Sequence, residues 1–193
     1  PEPGTTALFA SGAALLLALA WVGCSGAGAH AEPRRTTKGT PPLNKLGKPT
    51  DVKSLLALRE LNRPELIALL HLAPGDVRED VAYQKLQGVA RLHNGSVYPG
   101  HFYVHGDQLK VVYIGDASFL SGLTPAAIQK ELGGPGTRLR SRAGKVANQY
   151  VYPDKGFAYS ESDGALDFVE IFAPMSLDEY RANIYEDVGP FTK

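Results

Sequence analysis

Val97 to Ile114, "VYPGHFYVHGDQLKVVYI", and Val151 to Ile171, "VYPDKGFAYSESDGALDFVEI", carry the same features in the same order. Each opens on Val-Tyr-Pro, reaches a Phe (Phe102, Phe157), turns at Gly106-Asp107 or Asp163-Gly164, and ends on a strand led by Leu109 or Leu166. Upstream of each lies a helix-forming stretch, "RPELIALLHLAPGDVR" from Arg63 and "TPAAIQKELGGPGTR" from Thr124. Both place Pro at the first helical position, an Ile three residues on (Ile67, Ile128), and a Pro-Gly break followed by Arg. Chance likeness of two β-rich segments is the plain alternative. The shared order of several features favours a tandem α-then-β repeat.

The elements follow from local signals. Asp51 or Thr50 caps a first helix carrying Val52, Leu55, Leu56 and Leu58 on or near one face; Asn62 and Glu65 form a capping box for a second, which Pro74-Gly75 ends. Strands are expected at Gln84 to His93, Ser96 to His105 and Gln108 to Gly115, joined by the Asn94-Gly95 and Gly106-Asp107 turns. In the second half Thr124 caps a helix that Gly133 to Gly136 stop. Strands then run near Arg138 to Arg142, Val146 to Tyr152, Phe157 to Ser160 and Leu166 to Phe172. A last short helix opens on the capping box Ser176 to Glu179. The expected class is α+β, with helices packed on one face of an antiparallel sheet and two repeat units, about 51–116 and 117–175, before a C-terminal tail.

Outside this body, 51–193, the chain changes character. "ALFASGAALLLALAWVGCSG", Ala7 to Gly26, holds about 17 largely apolar residues without charge and ends on Cys24, the one cysteine in the sequence. A lone thiol makes no intrachain disulfide and no Cys-based zinc or redox pair. The run is weak for a membrane span of roughly 20 residues and long for a secretory h-region. "WVGC" decides between them: it resembles the lipobox of bacterial lipoproteins, with Val22 and Gly23 as small residues before the cysteine and Trp21 where Leu is usual. Residues 1–23 thus read as a truncated lipoprotein signal peptide and Cys24 as the lipidated N-terminus, a stable attachment to a membrane. A cleaved secretory signal and an uncleaved anchor are the alternatives. Ser25 to Thr50, rich in Gly, Pro and Thr, reads as a flexible tether with a root-mean-square span of roughly 30 Å. It carries five basic residues against Glu32, suited either to anionic headgroups or simply to water.

The whole chain has 20 basic and 20 acidic residues, so nucleic acid is not an expected partner. From Asp51 onward 15 basic residues face 18 acidic ones. The body is mildly acidic.

"GLTPAAIQKELGGPGTR" from Gly122, with the Tyr-rich hairpins that follow to Ile171, resembles the envelope lipoprotein family that includes SmpA, OmlA and BamE. The tandem arrangement is similar to that of β-lactamase inhibitor protein. The resemblance covers about 50 residues well, and its motif is mostly structural: Thr124 caps, Gly133 terminates, Leu132 packs. The spacing after Gly133 departs from the pattern by an extra Gly. The resemblance implies a non-enzymatic, lipid-anchored module on the periplasmic face of a bacterial envelope, at the outer membrane more than the inner, with an envelope protein as partner. A periplasmic protein binding a lipid or small ligand is the second reading, although a small-molecule ligand is not the expected partner.

Catalytic motifs are absent from the sequence: no G-x-S-x-G, no H-E-x-x-H and no P-loop. No cofactor or metal is expected. His101 and His105 share a strand face but stand about 13 Å apart, so a metal would need His93 or Asp107 across a turn. Glu161, Asp163 and Asp167 gather where turns collect acids. Two candidate binding surfaces remain. Arg138, Arg140 and Arg142 alternate on a strand, opposite Leu139, and form either a solvated face or a dock for anions. The strand period also sends Val112, Val169, Ile114 and Ile171 toward the helices. That leaves His101, Tyr103, His105, Val111, Tyr113, Phe168, Glu170 and Phe172 on the opposite face as an aromatic docking surface. Its alternative fate is to be covered by the C-terminal segment with Tyr180, Tyr185 and Phe191.

Overall fold

A computed structural model of the chain describes residues 48–79, 83 and 85–186. The readings of 1–23 as a signal segment, of Cys24 as a lipidation site, of nearly all the tether, and of Phe191 as part of a cover lie outside the described residues.

Each helix starts where a side chain takes up an otherwise orphaned backbone N–H. α1 (Val52–Leu56) begins where Asp51 accepts from the Ser54 N–H at 2.7 Å, and it runs into a 3-10 turn, Ala57–Glu60. α2 (Arg63–Leu69) opens on a reciprocal box: Glu65 N–H donates to Asn62 Oδ1 at 3.0 Å and Asn62 N–H to Glu65 Oε2 at 2.9 Å. It stops before Pro74-Gly75, because His71, at φ 52°, closes it. The His71 N–H then reaches the Ala68 carbonyl and the Leu72 N–H that of Ile67. α3 (Ala117–Leu120), capped by Asp116, has no counterpart among the sequence expectations. α4 (Pro125–Leu132) is capped by Thr124 and closed by Gly133 at φ 91°, and α5 (Leu177–Asn183) opens on the Ser176–Glu179 box.

The strands are β1 (Arg78–Glu79), β2 (Ala90–Asn94), β3 (Tyr98–His105), β4 (Gln108–Ile114), β5 (Thr137–Arg140), β6 (Asn148–Tyr152), β7 (Phe157–Ser162) and β8 (Ala165–Phe172). They form one sheet in the order β1-β2-β3-β4-β8-β7-β6-β5, antiparallel at every junction. β2 is shorter than expected because the chain turns left-handed at Gly88 (φ 70°), and β5 ends at Arg140 rather than Arg142. The protein is a mixed α+β fold. At the centre of the sheet β4 meets β8, with Tyr113 opposite Glu170, Val112 opposite Ile171 and Ile114 opposite Val169.

The sheet separates two apolar cores. Phe102, Val104, Val112, Ile114, Val169 and Ile171 face Val52 and Leu55 of α1, Leu66 of α2, Leu120 of α3 and Ile128 of α4. On the other side Tyr103, Val111, Val151, Ala158 and Phe172 pack with Tyr180 of α5, Ile184 just beyond it, and Tyr83. The expectation that all helices share one face is thereby corrected, because α5 lies on the opposite face. The parity assigned to the strands is the one observed, but its consequence is not. Tyr103, Val111, Phe168, Glu170 and Phe172 are all at most 3% exposed, so the expected aromatic docking surface is interior. An aromatic face of this size is stabilised by removal from water, and α5, Tyr83 and Arg142 of the same chain cover it. Tyr113 and His101 are half-buried, and His105 alone of the eight is exposed.

Candidate functional site

Glu170 stands on β8 between apolar neighbours, and the strand period fixes its carboxylate in the second core. Four donors surround it. Tyr83 Oη and Arg142 Nη2 each donate to Oε1 at 2.9 Å, while Tyr180 Oη at 2.5 Å and Gln149 Nε2 at 3.2 Å donate to Oε2. Both phenols also accept: Arg142 Nη2 donates to Tyr83 Oη at 3.0 Å and Gln149 Nε2 to Tyr180 Oη at 2.6 Å. The network closes on itself, which is the condition under which burying charge is tolerated. Burial, reinforced by the Glu170 carboxylate, holds the Tyr83 and Tyr180 hydroxyls well above the usual tyrosine range. They are donors at neutral pH, not bases.

Arg142 corrects the reading of an arginine row. The row predicted that none of the three could face a core, but β5 ends at Arg140 and the chain then turns Arg142 inward. Its guanidinium lies 4.9 Å from the Tyr83 and Tyr113 ring centres and 5.2 Å from that of Phe168, while pairing with Glu170. Burial alone would lower its pKa; the charges and hydrogen bonds of Tyr83 and Glu170 outweigh that and raise it. Carboxylate, rings and guanidinium compensate one another here.

Arg138 and Arg140 remain outside, on the exposed edge strand β5. They line a groove of about 770 Å³ together with Lys85, Lys145, Arg181 and Tyr185, and no carboxylate is among its described lining residues. Lys85 Nζ donates to the carbonyls of Arg181 at 2.7 Å and Tyr185 at 2.6 Å, so a cation fixes the C-terminal end of α5. Tyr185 Oη donates to the Arg140 carbonyl at 2.9 Å, tying the same end to β5. A second groove, of about 570 Å³ and more apolar, lies beside Leu61, Leu86, Leu109, Met175 and Ile184.

No family model, curated protein or solved structure matches the chain. Its site is therefore judged on its own residues. His93 and His101 stack with ring centres 3.9 Å apart, and His93 Nδ1 lies 3.0 Å from the Gly100 carbonyl, while His105 points elsewhere, beside Gly88. Among the described residues no group of three His, Cys, Asp or Glu is arranged to hold a metal, and no helix is long and apolar enough to cross a membrane. Asp167 accepts from Ser160 at 2.8 Å and Ser162 at 2.6 Å, a turn-side network without an opposed acid and base.

Tyr83, Gln149, Lys85 and Arg181 were not singled out by sequence reasoning. One signal was available. In "DFVEIF" Glu170 shares its strand face with Phe168 and Phe172, while the period of two puts Asp167 on the other; a lone carboxylate on an otherwise apolar face calls for a cation, and Arg142 is that cation.

Proposed function

We propose that this protein is a non-catalytic envelope lipoprotein, anchored through Cys24, whose α+β body acts as a protein-interaction or scaffold module. The observation that carries the binding reading is a groove whose described lining holds Lys85, Arg138, Arg140, Lys145 and Arg181, on a body of net acidic charge. The ionic chemistry of the interior supports it as well. Glu170, which a catalytic reading would have to recruit, has both oxygens engaged by four internal donors.

The pairing registers support two tandem units like those of the SmpA, OmlA and BamE family that the second half resembles. Val104 opposite Leu109 and His105 opposite Gln108 in one hairpin correspond to Glu161 opposite Leu166 and Ser162 opposite Ala165 in the other. A register shift follows Tyr103 in the first and Ser160 in the second, and Gly106 and Asp163 take the same left-handed turn position. In this reading Tyr159, not Phe157, corresponds to Phe102, since they face Val169 and Val112. β4 and β8 then meet about a local dyad through Tyr113 and Glu170. A lipid or small-ligand role is the second reading, favoured by the apolar groove beside Met175 and Ile184.

The anchor is tested by expressing the full chain behind a bacterial start and mapping the mature N-terminus by mass spectrometry. Processing at Gly23 with a lipid-modified Cys24, abolished by Cys24→Ala, is expected. A mature end elsewhere, for instance after Ala31, removes the lipoprotein reading.

A further inference from the structure

We infer that the apolar groove beside Met175 and Ile184 binds a single-chain amphiphile of the acyl-ester class, with a head that is uncharged and rich in oxygen. This rests on the second reading of the body, a lipid or small-ligand role, and names its ligand; it does not rest on the anchor at Cys24.

The groove arises because two paired strands end out of step. β8 stops at Phe172, opposite Val111, while β4 continues back to Gln108. Gln108, Leu109 and Lys110 thus extend past the end of β8, and the chain leaves Phe172 through Ala173 and Met175 toward α5. All five line the recess of about 570 Å³. Its apolar lining draws on both cores: Leu61 and Leu109 from the side of α1 to α4, Leu86, Met175 and Ile184 from the side of α5. Leu61 is 5% exposed and Ile184 2%, so the floor is held by residues already packed. Small-molecule sites have this form: a preformed recess of roughly 300–1,000 Å³, mostly apolar, at a junction of packed layers, with a few polar groups at its edge.

The polar groups at the edge select the head. Arg59 pairs with Glu60 at 3.5 Å and its Nη1 donates to the Lys155 carbonyl at 2.9 Å. Lys110 donates to the Gln108 carboxamide oxygen at 2.9 Å, and Asp107 lines the same recess. The charges of Arg59, Lys110, Glu60 and Asp107 cancel, so a charged head would give up water without meeting a net opposite charge. Carboxamides remain. Asn62 and Gln108 use their side-chain oxygens within the fold, toward the Glu65 N–H and Lys110. Their amino groups, with the carboxamide of the exposed Asn183, are left for the oxygens of an ester or hydroxyl head. A protein partner fits this place less well, because a stable interface needs an apolar core on the surface around a recess. The large hydrophobic residues exposed among those described are Val97 and Val146, and neither lines the groove.

The test is isothermal titration calorimetry of the full chain with three amphiphiles that share a tail and differ in the head. Monodecanoyl glycerol, decanoate and decyltrimethylammonium are each used below their micellar concentrations. The glycerol ester should bind most tightly, by roughly tenfold over either ion. Ala173→Trp sets a large ring in the recess from an exposed position, and should weaken the ester by roughly tenfold while the circular dichroism spectrum stays native. Asn183→Trp, on the exposed last turn of α5, replaces it if the first variant impairs folding. Equal affinity for the three heads, or undiminished binding of the ester by a folded Trp variant, overturns the assignment. In the latter case a lipid role survives at another place on the molecule. Binding of none of the three removes the lipid reading together with the groove.

Discussion

Glu170 and Arg142 show how a residue's surroundings can invert its expected role. Read along β8, a glutamate between Phe168 and Phe172 marks a face wetted by solvent; in the fold it is the hub of a closed network with 3% of its side chain exposed. Breaking such a pair costs more than the pair contributes, because the remaining ion stays behind in a poor solvent. Glu170→Ala is thus expected to lose about 3 kcal/mol, near the low end for a broken buried pair, since Arg142 keeps a quarter of its side chain in water. Joint replacement by Glu170→Leu and Arg142→Met should recover most of that loss, because neither charge is then stranded. Urea unfolding of the two single variants and the double measures the coupling. A double variant as unstable as the sum of the singles would show that the pair is not the unit of stability.

At the scale of elements, start signals were legible and destinations were not. Asp51, Asn62, Thr124 and Ser176 each cap the helix that the sequence assigned to them, because a cap is satisfied within three residues. The Ser176 box says nothing about which sheet face α5 meets, and that contact decides whether the aromatic face is a surface or a core. Strand parity was readable for the same local reason; the extent of β2 and β5 was not, since Gly88 and the turn after Arg140 end them. The link between β8 and α5 rests on Gly156, whose carbonyl accepts from the Phe172 N–H at 2.9 Å. At φ 70° a side chain is strained there, and a Cβ would also meet the Phe172 carbonyl oxygen. Gly133, at φ 91° with open space around it, has the strain alone. Gly133→Ala should cost about 1 kcal/mol and Gly156→Ala roughly 3 kcal/mol or more. Thermal unfolding of both variants checks this; equal costs would mean that the Gly156 contact relaxes freely.

For the molecule as a whole, the sheet is a shared wall, so each core depends on the other being formed. Buried phenols stand on both sides of it: Tyr98 and Tyr159 on the side of α1 to α4, Tyr83 and, from α5 itself, Tyr180 on the other. Burial raises all four above the usual tyrosine value of 10.0, Tyr159 to about 12. The sign follows from which form each state prefers. The unfolded chain releases these protons near pH 10 and the folded chain holds them, so their contribution is fully present below about pH 10 and is lost as the pH rises toward the folded values. Because the wall is common, the two sets should not ionise separately. Tyrosinate absorbance followed alongside far-ultraviolet circular dichroism is expected to rise most steeply above about pH 10, together with loss of the sheet. Tyr180→Phe separates the second core's part: the hydroxyl that donates to Glu170 is gone, one buried ionisation is removed, and the alkaline transition should begin from a lower stability but fall less steeply. Ionisation of every tyrosine near pH 10 with the sheet signal unchanged would mean that these phenols reach water without unfolding, and the account of both cores as mutually dependent would fail.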